Sequence, residues 1–274
     1  MKISTRLGSL MALAAAGTLA VPVGMASAAP SSGSTAVTCT GGEIASGTYS
    51  SVTIAGNCSV PAHATVMITG NLNVLSGARL DADSAPSTIT VGHNVTAAPG
   101  SSTGLGCTAA HGGCTSGGPD GNGPYAGEMS NILIKGNASF DHVFNAALNG
   151  ITVNGNVTSV GGGGGGGGFP EVFIPFSVKD DTIHGNLSVS GLTSTWFGVI
   201  RSTIDGNVAL SNIWMSDPDG NEIVHDTIGK NLICTNMSPA PQFGDADDGI
   251  PDPSYPYSTV GRNALGQCGF VLAP

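Results

Sequence analysis

Charged side chains are scarce in this chain, and most of the few present are acidic. Asp, Glu, Lys and Arg make up 9% of the 274 residues, with 18 acidic residues against 8 basic ones. A surface with so little positive charge cannot neutralise many phosphate groups, which argues against nucleic acid and anionic membranes as partners. We therefore look for partners among uncharged ligands such as glycans, or among proteins.

Long apolar runs are absent after residue 28, so we expect no membrane span beyond that point. The first 28 residues are typical of a secretory signal peptide. Lys2 and Arg6 form a basic start, residues 7–23 are mostly apolar, and Ala26-Ser27-Ala28 is a small-residue cleavage site. We expect residues 1–28 to be removed, and the mature chain to be extracellular or associated with the cell wall.

A short phrase, aliphatic–x–Gly–Asn–apolar–x–apolar, recurs through most of the chain, for example from Ile183 to Val189. Repetition at intervals of about twenty residues indicates a stacked repeat architecture. Apolar residues around Gly-Asn alternate with a period of two, which is the spacing of strands. The sequence therefore predicts an all-β fold, a single-stranded parallel β-helix that is right-handed and has about eight to ten rungs. Its repeated asparagines are Asn57, Asn71, Asn94, Asn137, Asn156, Asn186, Asn207 and Asn231.

The Gly-Asn pair has a physical reason in such a coil. Sharp bends require residues that accept positive φ, and Gly does so most readily, followed by Asn. Rungs stack about 4.8 Å apart, so equivalent asparagines are expected to form an amide ladder. The alternative is that Gly-Asn marks hairpin turns in an antiparallel sandwich. Hairpins do not require the same apolar frame on both sides of every turn, which favours the β-helix.

The period also suggests domain boundaries. We expect an N-terminal cap over 29–50, the β-helix over 51–234, and a C-terminal cap or tail over 235–274. Insertions interrupt the coil at 98–130 and at 160–176. The second insertion contains eight consecutive glycines, which form a flexible link, and a Phe-rich segment that we expect to pack on a face of the coil.

All six cysteines follow the signal peptide, in a setting that permits disulfides. Spacing favours one pair between neighbouring rungs, one closing a small loop and one holding the tail. These pairs are Cys39 with Cys58, Cys107 with Cys114, and Cys234 with Cys268. The alternative for the middle pair is a zinc site that includes His111.

One column of the repeat changes from apolar to polar near the C-terminus. Aligning the last three repeats places Asp180, Arg201 and His225 in one column, and Asp181, Ser202 and Asp226 in the next. One interpretation is a salt-bridged corner whose side chains accept backbone hydrogen bonds. The other is a polar site in which Asp180, Asp181, Arg201 and Asp226 act on a glycan, with carboxylates as general acid and base.

Other candidate binding residues lie in the same region. Trp196 and Trp214 form either a sugar-stacking platform or part of the core. His184 and His225 are further binding candidates. An acidic run resembles the aspartate-rich calcium loops of thrombospondin-type repeats, although its first positions differ. Calcium is the only cofactor this run suggests, and its candidate ligands are Asp245, Asp247, Asp248 and Asp252.

Several motifs together resemble a group of secreted actinobacterial repeat proteins without an assigned activity. They are the segment from Cys39 to Tyr49, the Gly-Asn rungs, the segment from Asn231 to Pro241, and Gly266-Gln-Cys268. The resemblance implies a parallel β-helix in the cell wall or outside the cell, and it implies no catalytic residues. Pectate lyases and polygalacturonases share the expected scaffold, but their catalytic motifs are not matched here, and fold alone does not establish function.

These observations lead to two functional hypotheses. The first is a non-catalytic, secreted β-solenoid of the cell envelope or extracellular space, which is structural or binds polysaccharide or a surface protein. The second is a polysaccharide lyase or glycoside hydrolase that uses the acidic cluster of the last three rungs. A groove lined by those acids favours the enzyme, whereas a filled corner of paired side chains favours the first hypothesis.

Overall fold

The computed structural model describes residues 34–108, 114, 124–125, 127–164, 176–244 and 257–269. The secondary structure of this part of the chain is β, with short strands joined by tight corners. In chain order the strands are β1 (Thr35–Glu43), β2 (Gly47–Ser59), β3 (Thr65–Ile68), β4 (Leu72–Val74), β5 (Arg79–Ala82), β6 (Thr88–Val91), β7 (Val95–Ala97), β8 (Ser102–Leu105), β9 (Asn131–Ile134), β10 (Ala138–Asp141), β11 (Asn145–Asn149), β12 (Ile151–Val153), β13 (Val157–Val160), β14 (Phe176–Lys179), β15 (Thr182–Ile183), β16 (Leu187–Ser190), β17 (Thr193–Ser194), β18 (Phe197–Ile200), β19 (Thr203–Ile204), β20 (Val208–Met215), β21 (Asn221–Val224), β22 (Thr227–Ile228), β23 (Leu232–Ser238), β24 (Thr259–Val260) and β25 (Ala264–Gly266).

Each turn of the coil contributes one strand to each of three stacked sheets. Sheet 1 contains the start of β2, then β3, β6, β9, β12, β15, β19, β22 and β24. Sheet 2 contains β1, the middle of β2, then β4, β7, β10, β13, β16, β20, β23 and β25. Sheet 3 contains the ends of β1 and β2, then β5, β8, β11, β14, β18 and β21.

The strand pairing confirms the predicted β-helix. Neighbouring rungs pair in parallel, and 17 strands go 332° round one axis. Parallel pairing at the Gly-Asn corners rules out the antiparallel hairpins of the alternative interpretation, because a hairpin joins antiparallel strands.

The core is the interior of this coil. Burial alternates along each strand, so that Val66 and Ile68 point inward while Thr65 and Met67 face solvent. The aliphatic residue of the repeated phrase forms one buried column in sheet 1, comprising Ile68, Val91, Ile134, Val153, Ile183, Ile204 and Ile228. The period of two in the sequence is therefore the inside–outside alternation of the coil.

Three phenylalanines from successive rungs pack against one another in this interior. The ring centroids of Phe140 and Phe176 lie 5.6 Å apart, and those of Phe176 and Phe197 lie 6.1 Å apart. All three side chains are fully buried. Aromatic contacts of this kind add to the free energy gained by apolar burial, so these rungs are well anchored.

The corner between sheets 1 and 2 carries the predicted asparagine ladder. The Oδ1 atom of each asparagine accepts a hydrogen bond from the backbone N–H of the equivalent asparagine in the next rung, as in the 2.8 Å bond from Asn186 to Asn156. In most rungs the side-chain amide of the later asparagine donates to the same oxygen. The ladder runs through Asn71, Asn94, Asn137, Asn156, Asn186, Asn207, Asn231 and Asn263.

Two details of the predicted ladder were wrong. Asn57 is not a member, because it lies at the start of a sheet 3 strand and pairs in register with Arg79. The corner of that rung is instead formed around Ser50, whose carbonyl oxygen lies against Gly70. Asn263 is a member that the prediction missed, since its phrase, Val260-Gly-Arg-Asn263, is a degenerate copy.

The reason given for glycine at this corner also needs correction. The glycines of the phrase do not adopt positive φ; the residues with positive φ lie at the other two corners. Glycine is required here by close stacking, because a Cβ atom on Gly206 would overlap the carbonyl oxygen of Gly185 in the rung before it. Only a residue without a side chain allows the backbones to approach so closely.

Positive φ is instead used at the corners that border sheet 3. Between sheets 2 and 3 the left-handed residues include Gly77, Gly100, His142, Gly161, Gly191, Asn212 and Asn236. Between sheets 3 and 1 they include Gly150, Asp180, Arg201 and His225, with φ of 71°, 57°, 52° and 59°. A non-glycine residue in this region costs roughly 1–2 kcal/mol, so each such side chain must be compensated by its contacts.

The coil extends beyond the predicted bounds of 51–234. Strand β1 and the start of β2 already pair within it, and β24 and β25 add a further rung inside the predicted tail. The first insertion is also shorter than predicted, because β8 lies inside 98–130 and pairs with β5 and β11.

Three disulfides confirm the predicted cysteine pairing. They join Cys39 to Cys58, Cys107 to Cys114, and Cys234 to Cys268. The zinc alternative fails because Cys107 and Cys114 are bonded to each other, and His111 lies outside the described residues. Disulfides indicate a non-reducing environment of the kind found outside the cell.

Candidate functional site

The interruptions of the coil all adjoin sheet 3. One insertion leads from β8 of sheet 3 to β9 of sheet 1, and another leads from β13 of sheet 2 to β14 of sheet 3. A third follows Gln242, which bridges to β21 of sheet 3, and precedes β24. In solenoids, insertions collect around the face that binds a ligand. The outer face of sheet 3 is therefore the candidate functional site.

The middle of this outer face carries small residues. Gly104, Ala147, Ser177 and Gly198 occupy successive rungs in register on the side that faces away from the core. Gly104, Ser177 and Gly198 are nevertheless buried, because side chains such as Asp83 and Trp196 lie over these rungs. The larger polar groups stand at the two ends of this strip, and they form two separate clusters.

The N-terminal cluster contains a pocket of about 290 Å³ lined by Gly42, Asn57, Cys58, Ser59, Arg79 and Asp81. Asn57 and Ser59 come from β2, and Arg79 and Asp81 come from the paired positions of β5. The guanidinium of Arg79 is largely exposed, and its Nη2 atom lies 3.8 Å from Oδ2 of Asp81. Amide, guanidinium and carboxylate groups on a shallow wall match the hydroxyl groups of sugars, which both donate and accept hydrogen bonds.

Asp81 is joined to a second carboxyl group, that of Asp83. Asp83 lies over Gly104 of the next rung, where a Cβ atom would overlap its carboxyl group. Burial, the hydrogen bond with Asp81 and the charge of Asp81 together raise the pKa of Asp83 to about 7. Burial acts against ionisation of Asp81 too, but hydrogen bonds from Ser84 and Asp83 outweigh it and hold the pKa of Asp81 below its ordinary value. Asp83 therefore keeps its proton to a higher pH than Asp81 does.

The C-terminal cluster is built around Trp196, whose indole ring lies over Gly198. The indole Nε1 donates a 3.0 Å hydrogen bond to Glu222, and the Lys179 ammonium stands 4.6 Å from the centre of the ring. Burial lowers the pKa of Lys179, although the charges of Glu222 and Asp180 partly oppose this effect. The partly buried Trp196 thus contributes to the outer surface of sheet 3, next to an acid and a base.

The predicted polar column is present in register at the corner between sheets 3 and 1. Arg201 and Asp180 form a bidentate ion pair, with Nε–Oδ1 and Nη2–Oδ2 distances of 2.7 and 3.0 Å. Thr108 donates a further 3.1 Å hydrogen bond to Asp180. The free energy gained from this ion pair compensates the cost of positive φ at both residues. His225, the third member, is exposed.

The neighbouring column is buried and forms a second hydrogen-bonded ladder. Oδ1 of Asp181 accepts from the N–H of Ile151, and the hydroxyl of Ser202 accepts from the N–H of Asp181, at 2.8 and 3.2 Å. The pattern continues in the next two rungs with the Asp226 carboxyl and the Ser258 hydroxyl. Each side chain thus satisfies a backbone N–H of the rung before it, the reverse of the asparagine ladder.

Burial raises the pKa of Asp181 and of Asp226 well above the ordinary value. Asp181 is 1% exposed and Asp226 is 2% exposed, so neither carboxyl group reaches a substrate in solution. The four residues of the predicted catalytic cluster therefore form a filled corner of paired or buried side chains. This geometry is the one that we associated with a structural role.

The remaining candidate residues are dispersed. Trp214 is 49% exposed and lies in the second half of β20, outside the three main sheets, where it pairs with Thr193 and Ser238. Trp196 and Trp214 thus belong to different surfaces. His184 is exposed at the asparagine corner, and its Nδ1 atom lies 2.7 Å from Oδ2 of Asp205.

Metal binding was predicted for Asp245, Asp247, Asp248 and Asp252, which lie outside the described residues. Within the described ranges, no three His, Cys, Asp or Glu side chains come together in a group that could hold a metal ion. A search of the same ranges finds no helix long and apolar enough to cross a membrane.

Sequence reasoning missed the pocket around Arg79 and Asp81. A signal was present in Arg79-Leu-Asp81-Ala-Asp83, where polar residues alternate with apolar ones. This alternation places Arg79 and Asp81 on the outward face of β5, and Asp83 follows the strand directly. It was overlooked because sheet 3 lies outside the Gly-Asn phrase.

The fold and site together define a disulfide-linked parallel β-helix with a polar outer face on one sheet. Comparison with protein family models, with curated proteins and with solved structures finds no significant match.

Proposed function

We propose that this protein is a secreted, non-catalytic β-solenoid of the cell envelope or extracellular space that binds polysaccharide on the outer face of sheet 3. Secretion is supported by the signal-like residues 1–28 and by the three disulfides. The single observation that carries the proposal is the position of the pocket on the one sheet that all three insertions adjoin.

The chemistry of this face suits a glycan. Asn57, Arg79 and Asp81 offer planar donors and acceptors at one end of the strip, and Trp196 offers an aromatic surface at the other. Polar groups that fix orientation, combined with apolar or aromatic surface, are typical of small-molecule sites.

The alternative, a lyase or hydrolase that uses Asp180, Asp181, Arg201 and Asp226, has less support. The carboxyl groups of Asp181 and Asp226 are buried and accept hydrogen bonds from backbone N–H groups. Asp180 and Arg201 are held in a bidentate ion pair. A general acid or base must reach within hydrogen-bonding distance of the proton that it transfers. We therefore favour binding without turnover.

A glycan array followed by a turnover assay on residues 29–274 tests this proposal. Arg79→Ala and Asn57→Ala should each weaken binding by about tenfold, the effect of losing one good polar contact. Asp205→Ala is the matched control, because Asp205 is an exposed charged residue at the asparagine corner, away from sheet 3. Its affinity should equal that of the wild type.

Two results contradict the proposal. Unchanged affinity in both pocket variants would move the binding surface elsewhere. Release of shortened or unsaturated oligosaccharides by the wild type, and its loss in Asp180→Asn, would establish the enzyme instead.

A further inference from the structure

The pocket described above contains one carboxyl group, that of Asp81, with a second one beside it. Asp81 lines the pocket and accepts hydrogen bonds from the N–H and hydroxyl of Ser84 at 3.1 and 2.9 Å. The Asp83 carboxyl group lies beside it, because it stands over Gly104, the in-register partner of Asp81 on β8. Arg79 stands 3.8 Å from Asp81, beyond hydrogen-bonding distance, and its side chain is 63% exposed. The cation is therefore near the carboxyl pair without being locked to it.

Few other charges act on this pair. Within sheet 3, β2 places Asn57 and Ser59 on one side of Arg79 and Asp81. On the other side, β8 places Ser102 and Gly104 beside the same two residues. Glu43, one rung further away, pairs in register with Ser59. Arg79 and Asp81 are the charged groups that influence ionisation of Asp83. The local balance between one cation and two carboxyl groups is thus set by a single proton.

We propose that the Asp81–Asp83 pair is a proton-controlled latch of this pocket, which holds an uncharged sugar while the two carboxyl groups share a proton and releases it when both are ionised. This inference rests on the proposed glycan-binding function and assigns its regulation and ligand class. An uncharged sugar fits because Arg79 and the singly charged pair balance each other.

Loss of the shared proton changes the position of the Arg79 guanidinium. With one proton shared, Asp83 donates to Asp81, and Arg79 remains free to bind a sugar hydroxyl. Loss of the proton removes this hydrogen bond and places two negative charges side by side, which repel. The exposed guanidinium is then attracted by twice the negative charge and moves over the pair, because charge-assisted contacts with carboxylates are strong. This movement narrows the pocket and removes its main donor from the ligand.

Binding measured at several pH values tests the latch directly. The probe is the neutral oligosaccharide selected by the array, titrated calorimetrically between pH 5.5 and pH 8.5. Wild-type affinity should fall by about tenfold over this range, equivalent to losing one polar contact, with the midpoint near the pKa of Asp83 at about 7. Asp83→Asn keeps a donor toward Asp81 without its charge, so its affinity should be high and independent of pH. Asp83→Ala should bind weakly at every pH.

A second measurement does not need the ligand. Carbon-13 carboxyl signals of Asp81 and Asp83, and the nitrogen-15 signal of Arg79 Nε, should shift together with one midpoint in the wild type. In Asp83→Asn the Arg79 signal should not move. Affinity that is constant with pH, or an Arg79 signal unaffected by the titration, would overturn the latch while leaving glycan binding intact. Absence of any glycan binding, with the coupled titration preserved, would overturn the proposed function and the ligand assignment but not the proton response.

Discussion

The buried carboxyl groups of Asp181 and Asp226 should make this protein less stable as the pH rises. Both have a pKa raised well above the ordinary value of 3.8 because they are buried. Below pH 3.8 both are protonated in the folded and the unfolded chain, so their ionisation does not change the free energy of unfolding there. Above it the unfolded chain ionises while the folded chain stays protonated, and unfolding becomes progressively easier until the raised pKa is reached.

The size of the effect follows from linkage. Each carboxyl group lowers the free energy of unfolding by at most about 1.4 kcal/mol per pH unit inside this window. Asp181→Asn and Asp226→Asn remove the ionisation but keep an oxygen that accepts from the N–H of Ile151 or Ser202. Each variant should therefore be more stable than the wild type at pH 7, and the difference should shrink toward pH 4.

Denaturant midpoints measured by tryptophan fluorescence at pH 4, 5, 6, 7 and 8 provide the assay. Midpoints are preferred because stacked repeats often unfold in more than one step. Asp205→Asn is the control, since Asp205 is 54% exposed and its removal leaves no buried charge. The reasoning is refuted if both buried variants are less stable than the wild type at pH 8, or if the difference does not change with pH.

Three further variants, with one control, test the packing of the coil. Asn156→Ala interrupts the ladder between Asn137 and Asn186 and should lower the free energy of unfolding by about 1–3 kcal/mol. The control, Asn57→Ala, lies outside the ladder and should lower it by roughly 0.5 kcal/mol or less. Equal losses in the two variants would show that the ladder contributes nothing to stability. Gly206→Ala should lower the melting temperature, because its Cβ atom meets the Gly185 carbonyl oxygen, and an unchanged melting temperature would contradict the close stacking. Phe176→Ala should cost about 3–5 kcal/mol as a buried aromatic truncation, and a loss below about 1 kcal/mol would mean that Phe176 is not between the other two rings.

The Gly-Asn phrase was enough to predict sheets 1 and 2, because its aliphatic residues occupy equivalent buried positions in every rung. It was misleading at Asn57, where the same letters follow Ile54 but lie one corner further along the coil. The gap of 14 residues from Asn57 to Asn71 was shorter than the other gaps, and it was the only sign of this difference. Local sequence does not distinguish a corner from a strand start when both need a small residue.

The candidate site was less predictable for a related reason. Alternation with a period of two stops at each corner, so it did not show that Asp181 points inward while Asp180 points outward. Sheet 3 has no repeated phrase, and its outer face is assembled from residues that share only their register. The pocket at Arg79 and Asp81 depends on which strand lies beside β5, and that is known only once the rungs are stacked.

Mapping the bound glycan onto the folded chain tests the central claim most directly. Amide chemical shifts of the isotope-labelled mature protein should change on titration at Asn57, Arg79 and Asp81 of the sheet 3 pocket. The asparagine ladder on the opposite corner should remain unaffected. Changes confined to the ladder, with sheet 3 silent, would contradict the account.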